Sequence, residues 1–226
     1  MRFETFGMKH LLPLVKGMGV TLEICLITLV LGTILGMIAG VALTSRVRTL
    51  RTVFKAYVNI VRGIPLLVIL FMTFYGIPLL CDVDVSQSVA SIVSLTVYSG
   101  AYIAEIVRGA IQSIPKGQTE AAHALGMSTF QCIRLVILPQ AVRIMIPPLV
   151  GFFIALVKDS SLVSAIGYID LTRSGKIVGN LTMNPMLSFI FVAIFYFIIC
   201  YSLSRLAQYS ERKLQINLAG GKKDDD

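Results

Sequence analysis

The 226-residue chain is 56% hydrophobic and only 14% charged, against about 25% charged residues in an average soluble domain. A mean hydropathy of +0.82, with no long polar stretch before the last dozen residues, excludes a soluble cytosolic domain, a disordered chain and a disulfide scaffold. The net charge is +8, from 20 Lys and Arg against 12 Asp and Glu, but the cations sit in short connections beside apolar runs. No aromatic rings are interleaved with them for base stacking, so the charge reads as membrane topology and lipid contact rather than nucleic-acid binding.

In chain order, apolar runs predict five membrane helices at about 17–44, 57–80, 86–112, 134–164 and 186–207, an all-α integral membrane protein forming a single domain over 1–226. The first run, Met18 to Leu43, has 26 residues, longer than the roughly 7 to 15 of a leader's apolar region, and a basic flank of Arg46, Arg48, Arg51 and Lys55 retains it as a span. Its Gly32, Gly36 and Gly40 recur every fourth residue and line one helical face, which permits close helix packing within the chain or at a seam between subunits. Glu23 lies about 9 Å inside this run, and a carboxylate within a membrane faces a cavity or a partner. On the third span Glu105 and Arg108 stand three residues apart and can pair with each other.

The fourth span is too short. Only 14 uninterrupted apolar residues separate Arg143 from Lys158, about 21 Å of helix for a hydrocarbon core of about 30 Å. Polar residues must therefore enter the membrane, either at Pro139 to Arg143 or at Lys158-Asp159-Ser160-Ser161, with Pro147-Pro148 expected to kink the helix. Two readings of this polar segment stay open. Lys158 pairs with Asp159 or Glu23, or else Glu23 or Asp159 meets a solute ammonium while the Ser160 and Ser161 hydroxyls orient its carboxylate. Such an anionic site, with Tyr98 and Tyr102 as further pathway residues, suits a cationic solute.

Fourteen of the 20 cations fall on one side of this topology, which the positive-inside rule assigns to the cytoplasm, with the N-terminus outside and a solvated tail over 208–226 inside. The largest cytoplasmic connection is 113–139. Pro115 and Gly117 end the third span, Thr119 is the expected N-cap of a short helix carrying Glu120 in its first turn, and Gly126 is the expected left-handed cap. A helix of about two turns is unstable alone and needs a partner surface, which Ala121, Ala122 and Ala124 would let approach closely. His123 reads as a surface or interface residue. On local pattern alone the segment is equally a simple connector.

Glu120-Ala121-Ala122, Gly126 four residues on, and Val136-Ile137-Leu138-Pro139 after nine more resemble the EAA loop of binding-protein-dependent ABC importer permeases, with Val136 where the pattern has Ile. Tyr102-Ile103-Ala104-Glu105-Ile106-Val107-Arg108-Gly109, Lys116-Gly117-Gln118, Arg62-Gly63-Ile64-Pro65 and Lys158-Asp159-Ser160-Ser161-Leu162 resemble the polar amino-acid branch of that family. The resemblance runs from about Gly17 to Leu214. It implies the type I ABC importer permease fold in the bacterial cytoplasmic (inner) membrane and an identical or paralogous permease partner. It also implies an extracytoplasmic amino-acid-binding protein and a dimer of ATPase subunits seated on Glu120, Ala121, Ala122, His123, Gly126 and Pro139. No Gly-x-x-x-x-Gly-Lys-Ser/Thr occurs in the chain, so ATP and Mg belong to the partner ATPase and this chain is not itself an enzyme. The two histidines, His10 and His123, and the scattered Cys25, Cys81, Cys132 and Cys200 form no metal-ligand spacing. A small secondary transporter or channel is the other reading, but no inverted repeat is visible to favour it.

Overall fold

The computed structural model describes residues 7–45 and 47–220, with side chains as far as Gln208. Arg46 and the terminal Gly-Gly-Lys-Lys-Asp-Asp-Asp run lie in part or wholly outside the described residues, and among those residues all regular structure is helical.

Helix α1, Met8–Thr44, has 37 residues and is about 55 Å long, well beyond the ~30 Å hydrocarbon core. Its middle and C-terminal parts pack on α4, Gln87–Gln112. Gly32 meets Ser99, Gly36 meets Ile103 and Gly40 meets Val107, and a Cβ at any of the three would run into the facing side chain. The glycine ridge is therefore a seam within this chain. Ser94 and Ser99 donate their hydroxyl protons to the carbonyls of Ala90 and Leu95, both at 2.7 Å, so α4 carries buried serines without orphaned donors.

The second span departs from the expected single helix over 57–80. Helices α2, Arg48–Gly63, and α3, Leu66–Cys81, meet at 105°. Pro65 has no N–H to continue the helix and forces the preceding residue out of it; Ile64 is extended, with φ −109° and ψ 133°. Val58 and Val61 of α2 are buried against Ala39, Leu43, Ala101 and Ala104, while Arg51, Lys55 and Asn59 on its other face are exposed.

Helix α5, Lys116–Ala124, begins earlier than expected, with Pro115 rather than Thr119 at the N-cap position. Helix α6, Thr129–Ile166, has 38 residues. It contains a π-helical turn at Cys132–Ile137, continues as α-helix through Pro147-Pro148 and closes in a 3-10 turn at Ser160–Ile166. Helix α7, Leu171–Thr182, was not anticipated. Asp170 caps it by accepting from the Arg173 N–H at 2.8 Å, and its Leu171 and Val178 are buried on Leu14 of α1 and Val192 of α8. Helix α8, Pro185–Gly220, continues into the segment expected to be a solvated tail.

Candidate functional site

Two caps fix the turn between α5 and α6. Gly126 adopts φ +76°; its N–H donates to the His123 carbonyl at 3.0 Å and the Met127 N–H to the Ala122 carbonyl at 3.1 Å, the paired bonds of a Schellman cap. Two residues later a reciprocal capping box opens α6, with the Gln131 N–H donating to Ser128 Oγ at 3.3 Å and the Ser128 N–H to Gln131 Oε1 at 2.8 Å. Ala122 faces inward, packed with Ile114, Cys132 and Ile137, so the chain supplies one partner surface for this short helix. Glu120, Ala121, His123 and Ala124 are exposed, and Leu125 and Phe130 beside them are 82% and 69% exposed. His123 Nδ1 lies 3.1 Å from the Met127 carbonyl. Because α5 starts at Lys116, Glu120 sits in its second turn, where the helix dipole has faded. Gln140, next to Pro139, donates to the Val136 carbonyl at 2.8 Å and reaches Gln118 Oε1 at 3.4 Å, which ties α5 to the root of α6.

A second cluster lies at membrane depth. Tyr98 and Tyr102 of α4 pack with ring centroids 4.6 Å apart, and Tyr102 stacks on Phe152 of α6 at 5.7 Å and 16°. The Arg62 guanidinium lies over the Tyr102 ring, 5.2 Å from its centroid, and 4.0 Å from Glu105, which also accepts from Arg108 at 2.6 and 2.9 Å. Tyr102 adjoins Ile103, which packs on Gly36, about 12 Å above the end of α1 at Thr44. Arg62 therefore lies level with Gly36 of α1, next to the backbone broken at Gly63–Pro65. Unwound backbone and a cation within a span persist only where they line a wet cavity or are buried in protein.

The expected solute residues separate into two groups. Tyr98 and Tyr102 join this cluster, and Asp159 is close enough to act electrostatically on Tyr98. Glu23 is exposed and about 32 Å along α1 from Thr44, well beyond the level of Gly36 at which the cluster lies. There its charge, with that of Asp170, adds to burial in pushing the Tyr168 hydroxyl above its ordinary pKa. Among the described residues Lys158 pairs with neither Asp159 nor Glu23. Ser160 and Ser161 donate to the carbonyls of Val157 and Lys158 at 2.8 and 2.6 Å, so their protons are committed to the helix rather than offered to a carboxylate. Arg62 and Glu105, which the expected site lacked, approach to 4.0 Å in this cluster, with Glu105 held more tightly by Arg108 at 2.6 Å. The signal for Arg62 was a cation beside a helix breaker inside an apolar run.

The family model described as "Binding-protein-dependent transport system inner membrane component" matches residues 32–216. A probable amino-acid ABC transporter permease protein, YckA, of Bacillus subtilis is 40% identical over 82% of this chain and 82% of its own. The glutamine transport system permease protein GlnP of Escherichia coli is 38% identical over 96% of this chain and all of its own. Among solved structures, the crystal structure of an amino acid ABC transporter with histidines superposes with a TM-score of 0.88 at 32% identity, covering 94% of this chain and 100% of that one. An inward-facing MetNI methionine ABC transporter superposes with a TM-score of 0.79 at 26% identity, covering 92% and 99%. The α1–α8 arrangement is the type I importer permease fold, and the chain belongs to the inner membrane components of binding-protein-dependent transport systems, the non-catalytic permease subunits of ABC transporters.

Proposed function

We propose that this chain forms the translocation pathway for a polar amino acid, together with an identical or paralogous permease, and that the solute passes the Arg62–Tyr102–Glu105 cluster. The observation that carries this reading is the Arg62 guanidinium held over Tyr102 and 4.0 Å from Glu105 at the break in the second span. Together these groups offer a cation for a carboxylate, a carboxylate for an ammonium group and ring faces for the side chain between them. The names of the similar proteins, amino-acid and glutamine permeases, support the substrate class.

The exposed face of α5 receives the ATPase dimer, which binds ATP and Mg, and Glu120, Ala121, His123, Leu125 and Phe130 form its contact. An extracytoplasmic amino-acid receptor delivers solute at the opposite end, near Glu23 and α7. With the cation-rich side inward, the N-terminus lies outside and the C-terminus in the cytoplasm of a bacterial inner membrane. Closure of the ATPases pulls α5 and, through the Gln118–Gln140 contact and the capping box, the root of α6; binding energy biases two states of the helices, with no covalent step in this chain.

The test is Arg62→Gln in the reconstituted complex of permease, ATPase and receptor. Uptake is expected to fall at least about tenfold with assembly and basal ATP hydrolysis retained; unchanged uptake overturns the pathway.

A further inference from the structure

From Arg62 a polar stripe continues down α2 toward the α5 end of the molecule. Arg51, Lys55, Asn59 and Arg62 recur at three- and four-residue intervals and so share one face of α2. Opposite them Glu105, Arg108 and Gln112 share one face of α4. The two stripes line a cleft of about 620 Å³ floored by Leu43, room enough for an amino acid and several waters. Gln112 is the last residue of α4 and Arg51 lies in the first turn of α2, so the cleft leads from the Arg62–Tyr102 cluster to the coupling end.

Its charge is one-sided. The single carboxylate, Glu105, is held by Arg108 at 2.6 Å and approached by Arg62 at 4.0 Å. Arg51 and Lys55 form no ion pair among the described residues, and α2 contains no acidic residue. Charges of one sign gathered along a cleft, here cations, raise the local concentration of anions and deplete other cations.

We propose that this cleft is a second carboxylate station on the solute's way out, where Arg51 and Lys55 receive the carboxylate released by Arg62, so that the permease passes zwitterionic or anionic amino acids and disfavours those with a net positive charge. This inference rests on the pathway through Arg62 and departs from the cationic solute that Glu23 and Asp159 suggest in the sequence, because Glu23 stands away from the cluster toward the other end of α1 and the exit is lined by cations. Lys55 and Arg62 stand seven residues apart, about 10 Å along α2, so a carboxylate crosses that interval in the field of both cations. A lysine-like side chain entering the same field meets unpaired positive charge on α2.

The test uses the full complex with Cys25, Cys81, Cys132 and Cys200 replaced by serine and Asn59→Cys as reporter. Labelling rates are measured with an anionic sulfonatoethyl and a cationic trimethylammonioethyl methanethiosulfonate, each normalised to a free thiol. The anionic reagent is expected to be favoured about tenfold, and the preference should collapse toward unity with Arg51→Gln and Lys55→Gln together and fall partway with Lys55→Gln alone. Glutamate or glutamine in the buffer should slow labelling at concentrations where lysine does not. Equal normalised rates for the two reagents, or equal protection by glutamate and lysine, overturn the station. So does a preference that vanishes whenever the vesicles contain phosphatidylglycerol, since a lipid headgroup then occupies the cleft. Uptake by Arg62→Gln reports on the pathway alone, so the two readings fail separately.

Discussion

The α1–α4 pair and the α5–α6 segment are built by opposite rules. Along α1 and α4 small residues bring two long helices into contact at Gly32, Gly36 and Gly40, and half of the most apolar stretch of α4 is buried, against 22% for that of α6. The α6 segment instead begins with a capping box and a π turn, passes two prolines and ends in a 3-10 turn. The π turn, the prolines and the 3-10 turn each interrupt the regular i to i−4 bonding of the helix. The first pair is a frame whose position is fixed by steric contact. The second is an arm seated on the frame through Ala122, Ala141 and Met145 and open on its other side, which in the proposed mechanism meets the ATPase, the solute and a second permease.

The largest expected effect breaks the frame. Gly36→Leu inserts a branched side chain where even a Cβ collides with Ile103, and should cost 3 kcal/mol or so. Little assembled protein should then be extracted from the membrane, as read by size exclusion of a fluorescent fusion. Gly151→Leu in α6, where no atom lies within 4 Å of the added Cβ, should leave that yield within about twofold. Equal losses at the two glycines would remove the distinction between frame and arm.

Gly126→Val is next and should spare the frame while disabling the arm. With φ at +76°, a β-branched residue is strained by about 1–2 kcal/mol, so the Schellman cap opens and α5 re-aims. Uptake should drop at least about tenfold while the yield of folded permease stays normal. Normal ATP-driven uptake by this variant would show that the cap does not set the coupling geometry.

How far these two regions were legible in the sequence follows from the range of the contacts that define them. The glycine ridge was visible because a four-residue period is a local property of one helix; its partner residues on α4 were not. The Gly126 cap was visible because a left-handed position has few occupants, but the helix start was misplaced, since Thr119 has the chemistry of an N-cap while Pro115, with ψ 136°, does the redirecting. The second span was misread as one helix because apolarity runs unbroken from Ile64 to Leu80 and hydropathy carries no direction; Pro65 carried the turn. Helix α7 is too polar and too short for a span, and its burial depends on the outer third of α1, which no local pattern announces. The Arg62–Glu105 pair joins residues on two helices and had no local trace beyond the cation itself.

A smaller effect concerns the end of the frame opposite the arm. Asp170 is fully buried and its carboxyl pKa is raised, first by desolvation and against the lowering effect of the hydrogen bonds it accepts from the Arg173 and Thr172 N–H groups and the Tyr196 hydroxyl. A folded-state pKa above the unfolded one means that the folded protein holds the proton more tightly. The associated stability is then present below the unfolded pKa and lost as pH rises through the folded one. Asp170→Asn keeps an oxygen to cap α7 and removes the buried charge. It should raise the melting temperature of the detergent-solubilised protein by a few degrees near pH 7, with the gain shrinking as the pH is lowered through the carboxylate range. A lower melting temperature at pH 7 would mean that the charge, and not the cap geometry, holds α7 on α1.

The smallest expected effect lies on the exposed face of the arm. Glu120 is exposed, forms no ion pair among the described residues and sits one turn too late to gain much from the α5 dipole. Glu120→Ala should therefore leave the helix and the frame unchanged and weaken ATPase docking by less than about 1 kcal/mol, roughly two- to fivefold in affinity. The neighbouring Leu125, 82% exposed at the helix end, presents apolar surface that a partner would bury, and Leu125→Asp should cost more because it places a charge in that contact. Titration of purified ATPase against the permease in nanodiscs separates the two. A loss at Glu120→Ala as large as that at Leu125→Asp would mean that the carboxylate meets a buried cation on the ATPase, and that this contact rather than apolar burial anchors the arm.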